Sequence, residues 1–164
     1  MNDKLLSLID FLKTHNLTIT CAESCTGGLF ASTLVSVSGV STVFSESFVT
    51  YSDSSKMKYL KVPREVLLTY GAVSKETVYY MAKGLFEVTS ANVTVCISGI
   101  AGPSGGTKEK PVGTVWFSYG LDEKIQTECV NFNPKFTRDK IRKLCVERAI
   151  NQILKVLEES EIHF

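Results

Sequence analysis

The sequence predicts an α/β protein built as a three-layer α/β/α sandwich around a mixed, mainly parallel sheet. Strand-like and helix-like segments alternate through the first two thirds of the chain, which favours parallel strands joined by helices. A hairpin-like pattern follows at 112–132 and is expected to add antiparallel strands to the same sheet. With 164 residues, the chain is predicted to form a single domain over 1–164 with a core of its own.

The first half of the chain is predicted to fold as a helix followed by two strand–helix units. Apolar residues recur at helical spacing over 3–14, and β-favouring residues follow at 17–21. Small and apolar residues at about 27–36 suit a closely packed helix. Aromatic and β-branched residues predict a strand at 43–51, before a short helix at about 54–60 that Asp53, Ser54 or Ser55 would cap. The apolar face of the first helix is predicted to consist of Leu5, Leu6, Ile9 and Leu12.

The second half continues the alternation. Pro63 suits the first turn of a helix that ends before Gly71, and helical spacing predicts a longer helix at about 75–89. The apolar segment 92–97 is typical of a strand at the centre of a sheet. A long helix is predicted at about 135–159, beyond the hairpin. The inner faces of the two long helices are predicted to consist of Val78, Met81, Ala82, Leu85 and Phe86, and of Ile141, Leu144, Cys145, Ile150, Ile153, Leu154 and Leu157.

The composition is ordinary for a soluble globular protein. Hydrophobic residues make up 44% of the chain and charged residues 21%, and the formal net charge is +1. This charge gives no electrostatic footprint for nucleic acid or an anionic membrane surface. No apolar run is long enough to span a bilayer, and the acidic, amphipathic N-terminal segment is unlike a secretory signal. We therefore expect a cytoplasmic protein with no nucleic-acid or membrane partner.

The cysteines and histidines limit the chemistry that can be expected. Cys21, Cys25, Cys96, Cys129 and Cys145 form no CxxC pair and are predicted to be buried free thiols. The two histidines, His15 and His163, lie near the ends of terminal helices. A histidine-based zinc site is therefore not expected, and a Ser-His-Asp triad is hard to assemble. If a serine is the nucleophile, its base is predicted to be a residue other than histidine.

The most informative stretch is 22–28, AESCTGG, which links the strand at 17–21 to the following helix. The first turn of a helix carries free N–H groups and partial positive charge, which suit an anion or a developing oxyanion. Ser24 lies just before this turn and is positioned for nucleophilic chemistry. In the alternative interpretation, Thr26 is an N-cap and the glycine pair is a packing point. The stretch fits neither a dinucleotide-binding fingerprint nor a Walker loop.

Two further polar stretches, 50–56 and 98–110, also follow predicted strands, so all three are expected to meet at one end of the sheet. Lys56 would act as a general base if burial near a serine removed its proton, and otherwise it is a surface lysine. Tyr51 and Ser52 are candidates for a hydrogen-bonded relay. Glu23 is expected to fix the turn, because neighbouring strand residues point to opposite faces.

The glycine-rich loop 98–110 suits a backbone nest for phosphate or carboxylate groups, with a flexible surface loop as the alternative. Lys108 and Lys110 would pair with an anion or remain solvated. Arg138 and Arg142 are one helical turn apart and would clamp a phosphate, unless they belong to a solvated face. The loop residues predicted to contact a substrate are Gly99, Ile100, Ala101, Gly102 and Gly105.

Five motifs together resemble the CinA C-terminal domain family. They are AESCTGG at 22–28, FVTYS at 48–52 with a lysine after it, GAVS at 71–74, SGIAGPSGG at 98–106 and KPVGTVWF at 110–117. The resemblance covers about residues 5–157 and implies an α/β/α fold. Stand-alone members of the family include nicotinamide mononucleotide deamidases. The implied reaction is hydrolysis of that nucleotide to nicotinate mononucleotide and ammonia, in pyridine nucleotide salvage, with no metal and no cofactor.

Carried over residue by residue, the resemblance makes Ser24 the nucleophile and Lys56 its base, with Tyr51 as a supporting hydroxyl. Under the resulting hypothesis, backbone N–H groups near Thr26, Gly27 and Gly28 hold the oxyanion. The nucleotide phosphate is expected on the 98–106 loop or near Arg142.

The chain also departs from the family pattern at one place. Members commonly show a Gly-Asp-Arg run before the last helix, where this sequence has Phe136-Thr137-Arg138. This departure puts the local phosphate or ribose contacts in question. The chain does not contain the N-terminal domain of the longer fused members, so the resemblance implies the stand-alone form. It also implies a homodimer or a larger homo-oligomer.

Two non-catalytic functions remain as alternatives. The domain would bind pyridine nucleotides as a regulatory module without turning them over, or it would bind a partner in a competence or DNA-damage context, as the family name suggests. Retained nucleotide binding without release of ammonia would identify the regulatory module.

Overall fold

The computed structural model describes residues 2–161. Within this range no helix combines the length and the apolar character that crossing a membrane requires. His163, which the sequence placed in a terminal helix, lies outside the described residues. The helices are α1 (Asn2–Thr14), α2 (Leu29–Val35), α3 (Asp53–Leu60), α4 (Arg64–Tyr70), α5 (Lys75–Thr89) and α6 (Arg138–Glu161), with a 3₁₀ turn at Val40–Thr42. The strands are β1 (Ile19–Glu23), β2 (Phe44–Val49), β3 (Val93–Gly99), β4 (Thr114–Leu121) and β5 (Lys124–Asn131).

The five strands form one mixed sheet in the order β2-β1-β3-β4-β5. Strand β1 pairs in parallel with both β2 and β3, and Cys21 lies opposite Ser47 on one side and Val95 on the other. Strands β3, β4 and β5 pair antiparallel. Four of the five strands therefore run in the same direction, which confirms the prediction of a mixed, mainly parallel sheet with a late hairpin.

Helices cover both faces of the sheet, which confirms the three-layer prediction. Helices α1, α2 and α6 pack together on one face, and α3, α4 and α5 pack on the other. The two layers bury separate hydrophobic cores. Neighbouring residues of β1 belong to different cores, because Cys21 faces the α6 side and Ala22 faces the α5 side. This alternation is what a strand covered on both faces requires.

Several element boundaries and faces differ from the prediction. Strand β1 extends to Glu23 because its pairing with β3 continues to Ile97. Helix α3 is capped by Ser52, whose Oγ accepts from the Ser55 amide. In α1, Leu6 is 45% exposed and Leu8 is fully buried, so the inner face follows the spacing 5, 8, 9 and 12. The predicted inner-face residues Phe86 and Leu144 are only half-buried.

The prediction of buried free thiols holds for four of the five cysteines. Cys21, Cys25, Cys96 and Cys145 are buried, and Cys129 is exposed on the edge strand β5. None of the five forms a disulfide. The prediction was wrong for Cys129 because an edge strand with helices on one side leaves part of its residues open to solvent.

Candidate active site

A cavity of about 370 Å³ opens where β1, β2 and β3 end. Ser24, Tyr51 and Gly99 line this cavity, and each belongs to one of the three polar stretches that follow these strands. The three stretches therefore meet at one end of the sheet, as predicted. Ala72 and Val73 add apolar wall, although the sequence argument had not assigned the 71–74 motif to the site. The cavity lies at the carboxyl ends of parallel strands, the usual place for ligand sites in α/β sheets.

Ser24 and Lys56 meet beside this cavity. Ser24 is the first residue after β1, and its amide donates to the Ile97 carbonyl at 2.9 Å, which fixes the start of the turn. The Lys56 Nζ lies 3.3 Å from the Ser24 Oγ. It also donates to the Thr50 carbonyl oxygen at 2.7 Å. The side chains that the sequence argument paired are therefore within hydrogen-bond reach.

The environment of Lys56 favours its neutral form. The residue is fully buried, and this desolvation lowers the pKa of Lys56 from 10.5, against the smaller opposing influence of Asp53 and Cys25. Within residues 2–161 no carboxylate forms an ion pair with its Nζ. Because the Thr50 carbonyl can only accept, one N–H of a neutral amine is directed to it and the lone pair remains available to the Ser24 hydroxyl.

Glu23 holds the turn that carries Ser24. Its side chain is fully buried, and its two carboxylate oxygens accept from the amides of Phe30 at 2.8 Å and Ala31 at 3.1 Å. The carboxylate thus satisfies the first turn of α2 and complements the positive end of that helix. This confirms that Glu23 fixes the turn. It also means that the helix N-terminus binds an internal carboxylate, where the sequence argument expected an external anion.

Replacing Glu23 with glutamine is expected to lower the free energy of unfolding by about 1–3 kcal/mol. The glutamine NH₂ group would face one of the two helix amides, so a buried donor would lose its acceptor. Urea denaturation of the variant and the wild type would measure the difference. Glu46→Gln is the matched control, because Glu46 is exposed on β2. If the two variants are equally stable, the Glu23 carboxylate does not support the turn.

The segment Thr26–Gly28 does not reach the cavity. Gly27 and Gly28 adopt left-handed backbone angles, with φ of 57° and 97°, and the Gly27 amide already donates to the Ser24 carbonyl at 3.1 Å. Gly28 occupies the N-cap position of α2, so Thr26 does not cap that helix. The tight turn therefore explains both glycines, and the amide of Gly27 is not available to an oxyanion.

Arg142 supports the same turn from α6. Its Nε donates to the Cys25 carbonyl at 3.1 Å and its Nη2 to the Thr26 carbonyl at 2.8 Å. These contacts orient the turn, and Arg142 is not among the residues that line the cavity. The predicted phosphate contact of Arg142 thus conflicts with the direction in which the structure places its guanidinium.

Arg138, one turn earlier, faces the cavity instead. Its Nη1 donates to the Gly102 carbonyl at 2.8 Å and its Nη2 to the Tyr51 hydroxyl at 3.1 Å. In the part of the chain that the structure describes, Arg138 is the only charged residue lining the cavity. Tyr51 is 65% exposed at the cavity mouth, and Ser52 is committed to capping α3. The predicted relay through Tyr51 and Ser52 to Lys56 is therefore not formed.

The glycine-rich loop supplies the opposite wall. Gly99, Ile100, Ala101 and Gly105 line the cavity, and Gly102 contributes its carbonyl to Arg138 instead. A side chain at Gly99 would come within 2.9 Å of the Thr114 carbonyl oxygen, so only glycine lets the loop lie this close to β4. Lys110 donates to the Tyr70 carbonyl and anchors the end of the loop, while Lys108 is exposed. Neither lysine lines the cavity.

No histidine among residues 2–161 lines the cavity. His15 follows α1, where its Nδ1 lies 2.8 Å from the Phe11 carbonyl oxygen and its ring stacks on that of Phe11. His15 is therefore not a candidate base for Ser24.

Comparisons with known proteins identify the family. The sequence model of the CinA C-terminal domain family matches residues 3–157 of this chain. The chain is 47% identical over 123 residues to a protein from Enterobacter agglomerans named nicotinamide-nucleotide amidohydrolase PncC, covering 74% of this chain and 75% of that protein. It is 43% identical over 156 residues to a CinA-like protein from Petrotoga mobilis, covering 94% of this chain and 38% of that protein.

A solved structure has the same fold over nearly the whole length. The crystal structure of a CinA-superfamily protein from Klebsiella pneumoniae superposes with a TM-score of 0.91 at 30% identity, covering 96% of this chain and 97% of that chain. By contrast, the chain spans only 28% to 38% of the length of the CinA-like relatives from Colwellia psychrerythraea, Petrotoga mobilis and Endomicrobium trichonymphae.

Proposed function

The chain belongs to the CinA C-terminal domain family, and from this premise we propose that it is a serine amidohydrolase that converts nicotinamide mononucleotide to nicotinate mononucleotide and ammonia. The name of the Enterobacter agglomerans relative supports amidase activity on a nicotinamide nucleotide. Other relatives are named only CinA-like, so the mechanism must be argued from the residues of this chain.

One observation carries the mechanism. A fully buried lysine without an ion-pair partner among the described residues lies 3.3 Å from a serine at the edge of a cavity. A lysine kept only for structure would gain from a carboxylate partner or from solvent. Burial beside a hydroxyl instead lowers the pKa of the amine, and a lysine with a lowered pKa is able to act as a base that activates a serine nucleophile without histidine.

The proposed reaction has two stages. In the first, Lys56 Nζ accepts the Ser24 hydroxyl proton as Oγ attacks the carboxamide carbon of the substrate. The C–N bond then breaks, and protonated Lys56 returns the proton to the departing ammonia. In the second stage, Lys56 accepts a proton from water, the resulting hydroxide attacks the ester carbon, and the Ser24 oxygen leaves with that proton. The products are nicotinate mononucleotide and a regenerated serine.

We assign one oxyanion donor to the Cys25 amide. Cys25 directly follows the proposed nucleophile and lines the cavity. In other serine hydrolases with a strand–turn–helix nucleophile, the amide of the residue after the serine donates to the oxyanion. The Ser24 and Gly27 amides already donate to main-chain carbonyls. The two Arg142 contacts hold the carbonyls of Cys25 and Thr26. They fix the orientation of the two peptide groups that follow the Cys25 amide, so that this part of the turn is preorganised.

The cavity suits a mononucleotide with an aromatic amide. Ala72, Val73 and Ile100 provide apolar wall for a pyridine ring, and Arg138 provides the positive charge for a phosphate. Nicotinamide mononucleotide has both groups, at opposite ends of a ribose. With the carboxamide at Ser24, the phosphate is expected near Arg138 and the 102–105 segment of the loop.

The direct test is to incubate the purified protein with nicotinamide mononucleotide and to measure ammonia and nicotinate mononucleotide together. Equal amounts of the two products are expected. Tight nucleotide binding without product would favour the regulatory module, and the absence of both binding and product would exclude this nucleotide as the ligand.

Replacing Arg138 with alanine is expected to raise KM for nicotinamide mononucleotide by about tenfold to a hundredfold, since a charge-assisted hydrogen bond to phosphate is lost. Nicotinamide riboside lacks the phosphate, so its kcat/KM should change little. Steady-state kinetics with both substrates would measure the two effects, and Arg64→Ala is the control because Arg64 is exposed at the start of α4. An equal loss with both substrates would mean that Arg138 acts by holding Tyr51 and the loop.

A further inference from the structure

A second buried serine lies beside the proposed nucleophile. Strands β1 and β3 pair in parallel as far as Glu23 and Ile97, and the Ser24 amide continues this ladder by donating to the Ile97 carbonyl at 2.9 Å. Ser24 and Ser98 are therefore the next residues in register, on neighbouring chain segments that lie about 4.8 Å apart. Ser98 is 1% exposed and, like Ser24, lines the cavity.

The two serine side chains lie on the same face of the sheet. Ala22 and Cys96 both belong to the hydrophobic core on the α5 side, and side chains two positions apart along a strand share a face. Ser24 and Ser98 follow them by two positions, and Ser24 contacts Lys56 on this side. A substrate group held at the Ser24 hydroxyl would thus have the Ser98 side chain as its lateral neighbour.

The hydrogen of the Ser98 hydroxyl is already committed. Its Oγ donates to the Ala72 carbonyl at 2.8 Å, so the oxygen keeps lone pairs but has no further hydrogen to offer. The segment that carries this carbonyl is held in place, because the preceding Gly71 carbonyl accepts from Thr77 Oγ1 at 2.7 Å and from Ser74 Oγ at 2.9 Å. Ser98 therefore brings a fixed hydrogen-bond acceptor to the cavity wall.

The proposed mechanism leaves this acceptor unused. Within the part of the cavity that residues 2–161 form, the other hydroxyls besides that of Ser24 belong to Tyr51 and Ser104, and both residues are exposed. The Tyr51 hydroxyl accepts from Arg138 at the cavity mouth. Ser98 is thus the buried hydroxyl next to the nucleophile for which the reaction has no role so far.

We propose that Ser98 recognises the carboxamide of the substrate by accepting a hydrogen bond from its NH₂ group. The assignment rests on the proposed function, in which the carboxamide oxygen is directed to the Cys25 amide. The NH₂ group carries two donors, and it then requires an acceptor on the other side of the nucleophile. The Ser98 oxygen supplies this acceptor from β3 and orients the C–N bond that is to break.

The same acceptor discriminates against the carboxylate product. A carboxylate has no hydrogen to donate, so one of its oxygens would face the lone pairs of the Ser98 oxygen. Ser98 could donate to the carboxylate only by turning its hydrogen away from the Ala72 carbonyl, which would break a hydrogen bond already formed. Ser98 therefore favours the substrate over the product and assists product release.

The test compares the affinities of nicotinamide mononucleotide and nicotinate mononucleotide by calorimetric titration at one pH. Ser24→Ala serves as the background, so that the amide is not consumed. The measured quantity is the dissociation constant of the carboxylate divided by that of the amide. Adding Ser98→Ala is expected to lower this ratio by about tenfold, whereas adding Ser98→Thr, which keeps the hydroxyl, is expected to preserve it.

Ser118→Ala is the matched control in the same background. Ser118 is fully buried on β4, where its Oγ donates to the Val78 carbonyl at 2.8 Å, and it does not line the cavity. The control loses the same kind of hydrogen bond but should keep the ratio unchanged. Ser98→Cys keeps the size of the side chain with a weaker acceptor. Its smaller decrease in the ratio provides the same test if Ser98→Ala does not fold.

An equal loss of affinity for both nucleotides in Ser98→Ala would leave the ratio unchanged. It would overturn the assignment and would mean that Ser98 only supports the wall at Ala72. The titrations need no turnover. A wild type that releases no ammonia, together with the expected change in the ratio, would refute the proposed hydrolysis and leave Ser98 as the residue that recognises the amide. A Ser24→Ala protein that binds neither nucleotide would refute the proposed substrate and this assignment with it.

Discussion

Replacing Ser24 with alanine is expected to reduce hydrolysis of nicotinamide mononucleotide by about 10³-fold or more, because no other hydroxyl lies within hydrogen-bond distance of Lys56 Nζ among the described residues. The fold should be retained. Ser24 contributes a single small side chain at the cavity edge, and among residues 2–161 its side chain forms a hydrogen bond only with Lys56. Nucleotide binding should also persist, since the proposed phosphate contact lies at Arg138.

Three measurements on the Ser24→Ala variant distinguish loss of chemistry from loss of structure. Ammonia release reports turnover, thermal unfolding reports the fold, and calorimetric titration with the nucleotide reports binding. Ser32→Ala is the matched control, because Ser32 is exposed on the helix that follows the same turn. Substantial turnover by Ser24→Ala would rule out the acyl-enzyme route. Loss of the cooperative thermal unfolding transition in Ser24→Ala would mean that this variant is not folded. The same three measurements would then be made on Ser24→Gly.

Local patterns predicted that the segments carrying Ser24 and Lys56 meet, whereas the pairing of the two side chains was implied by the family resemblance, because spacing alone left Lys56 open as a surface lysine. A strand ending at a serine and a neighbouring strand followed by a lysine put both residues at one edge of a parallel sheet. The pairing of β1 with β2 then brings the two loops together. The helical phase of α3, which turns Lys56 inward, follows from its cap at Ser52.

The roles of the two arginines could not be separated in the same way. Arg138 and Arg142 lie one turn apart, so their spacing predicts a shared face and nothing more. Which of them faces the cavity depends on how α6 packs against the turn after β1, and this contact joins residues more than a hundred positions apart in the sequence. Thr137, which caps α6 by accepting from the Lys140 amide, also sets where the helix begins.

The anion at the start of α2 shows a second limit of sequence patterns. A helix N-terminus after a glycine pair attracts negative charge whether that charge belongs to a ligand or to the protein. Glu23 was expected to fix the turn, but its reach to amides seven and eight residues later depends on the left-handed path through Gly27 and Gly28. The internal carboxylate therefore occupies the position that had been assigned to an oxyanion.

Replacing Lys56 with methionine is the second variant with a large expected effect. The substitution keeps an unbranched side chain of similar length but removes the base, so turnover is expected to fall by about 10²-fold to 10⁴-fold. In the wild type, turnover should rise with pH through the lowered pKa of Lys56, because only the neutral amine accepts the Ser24 proton. Lys58→Met is the matched control on the same helix, since Lys58 is exposed. If Lys56→Met retains most of its turnover, another group must be the base.

The same burial predicts a pH-dependent stability difference between the wild type and Lys56→Met. In the unfolded chain Lys56 keeps its proton up to about its ordinary pKa of 10.5, whereas desolvation lowers the pKa in the folded protein. Between these two values the unfolded state binds one more proton than the folded state, so raising the pH stabilises the wild type.

The variant lacks this titration. The free energy of unfolding of the wild type minus that of Lys56→Met should therefore increase with pH, by at most about 1.4 kcal/mol per pH unit. Below the folded-state pKa and above 10.5 the difference should be constant. Urea denaturation of both proteins across this range measures the difference directly, and a difference that does not change with pH would mean that Lys56 keeps its proton in the folded protein. A general base created by burial must carry this thermodynamic signature, because the desolvation that frees the lone pair is the same desolvation that the folded state must overcome.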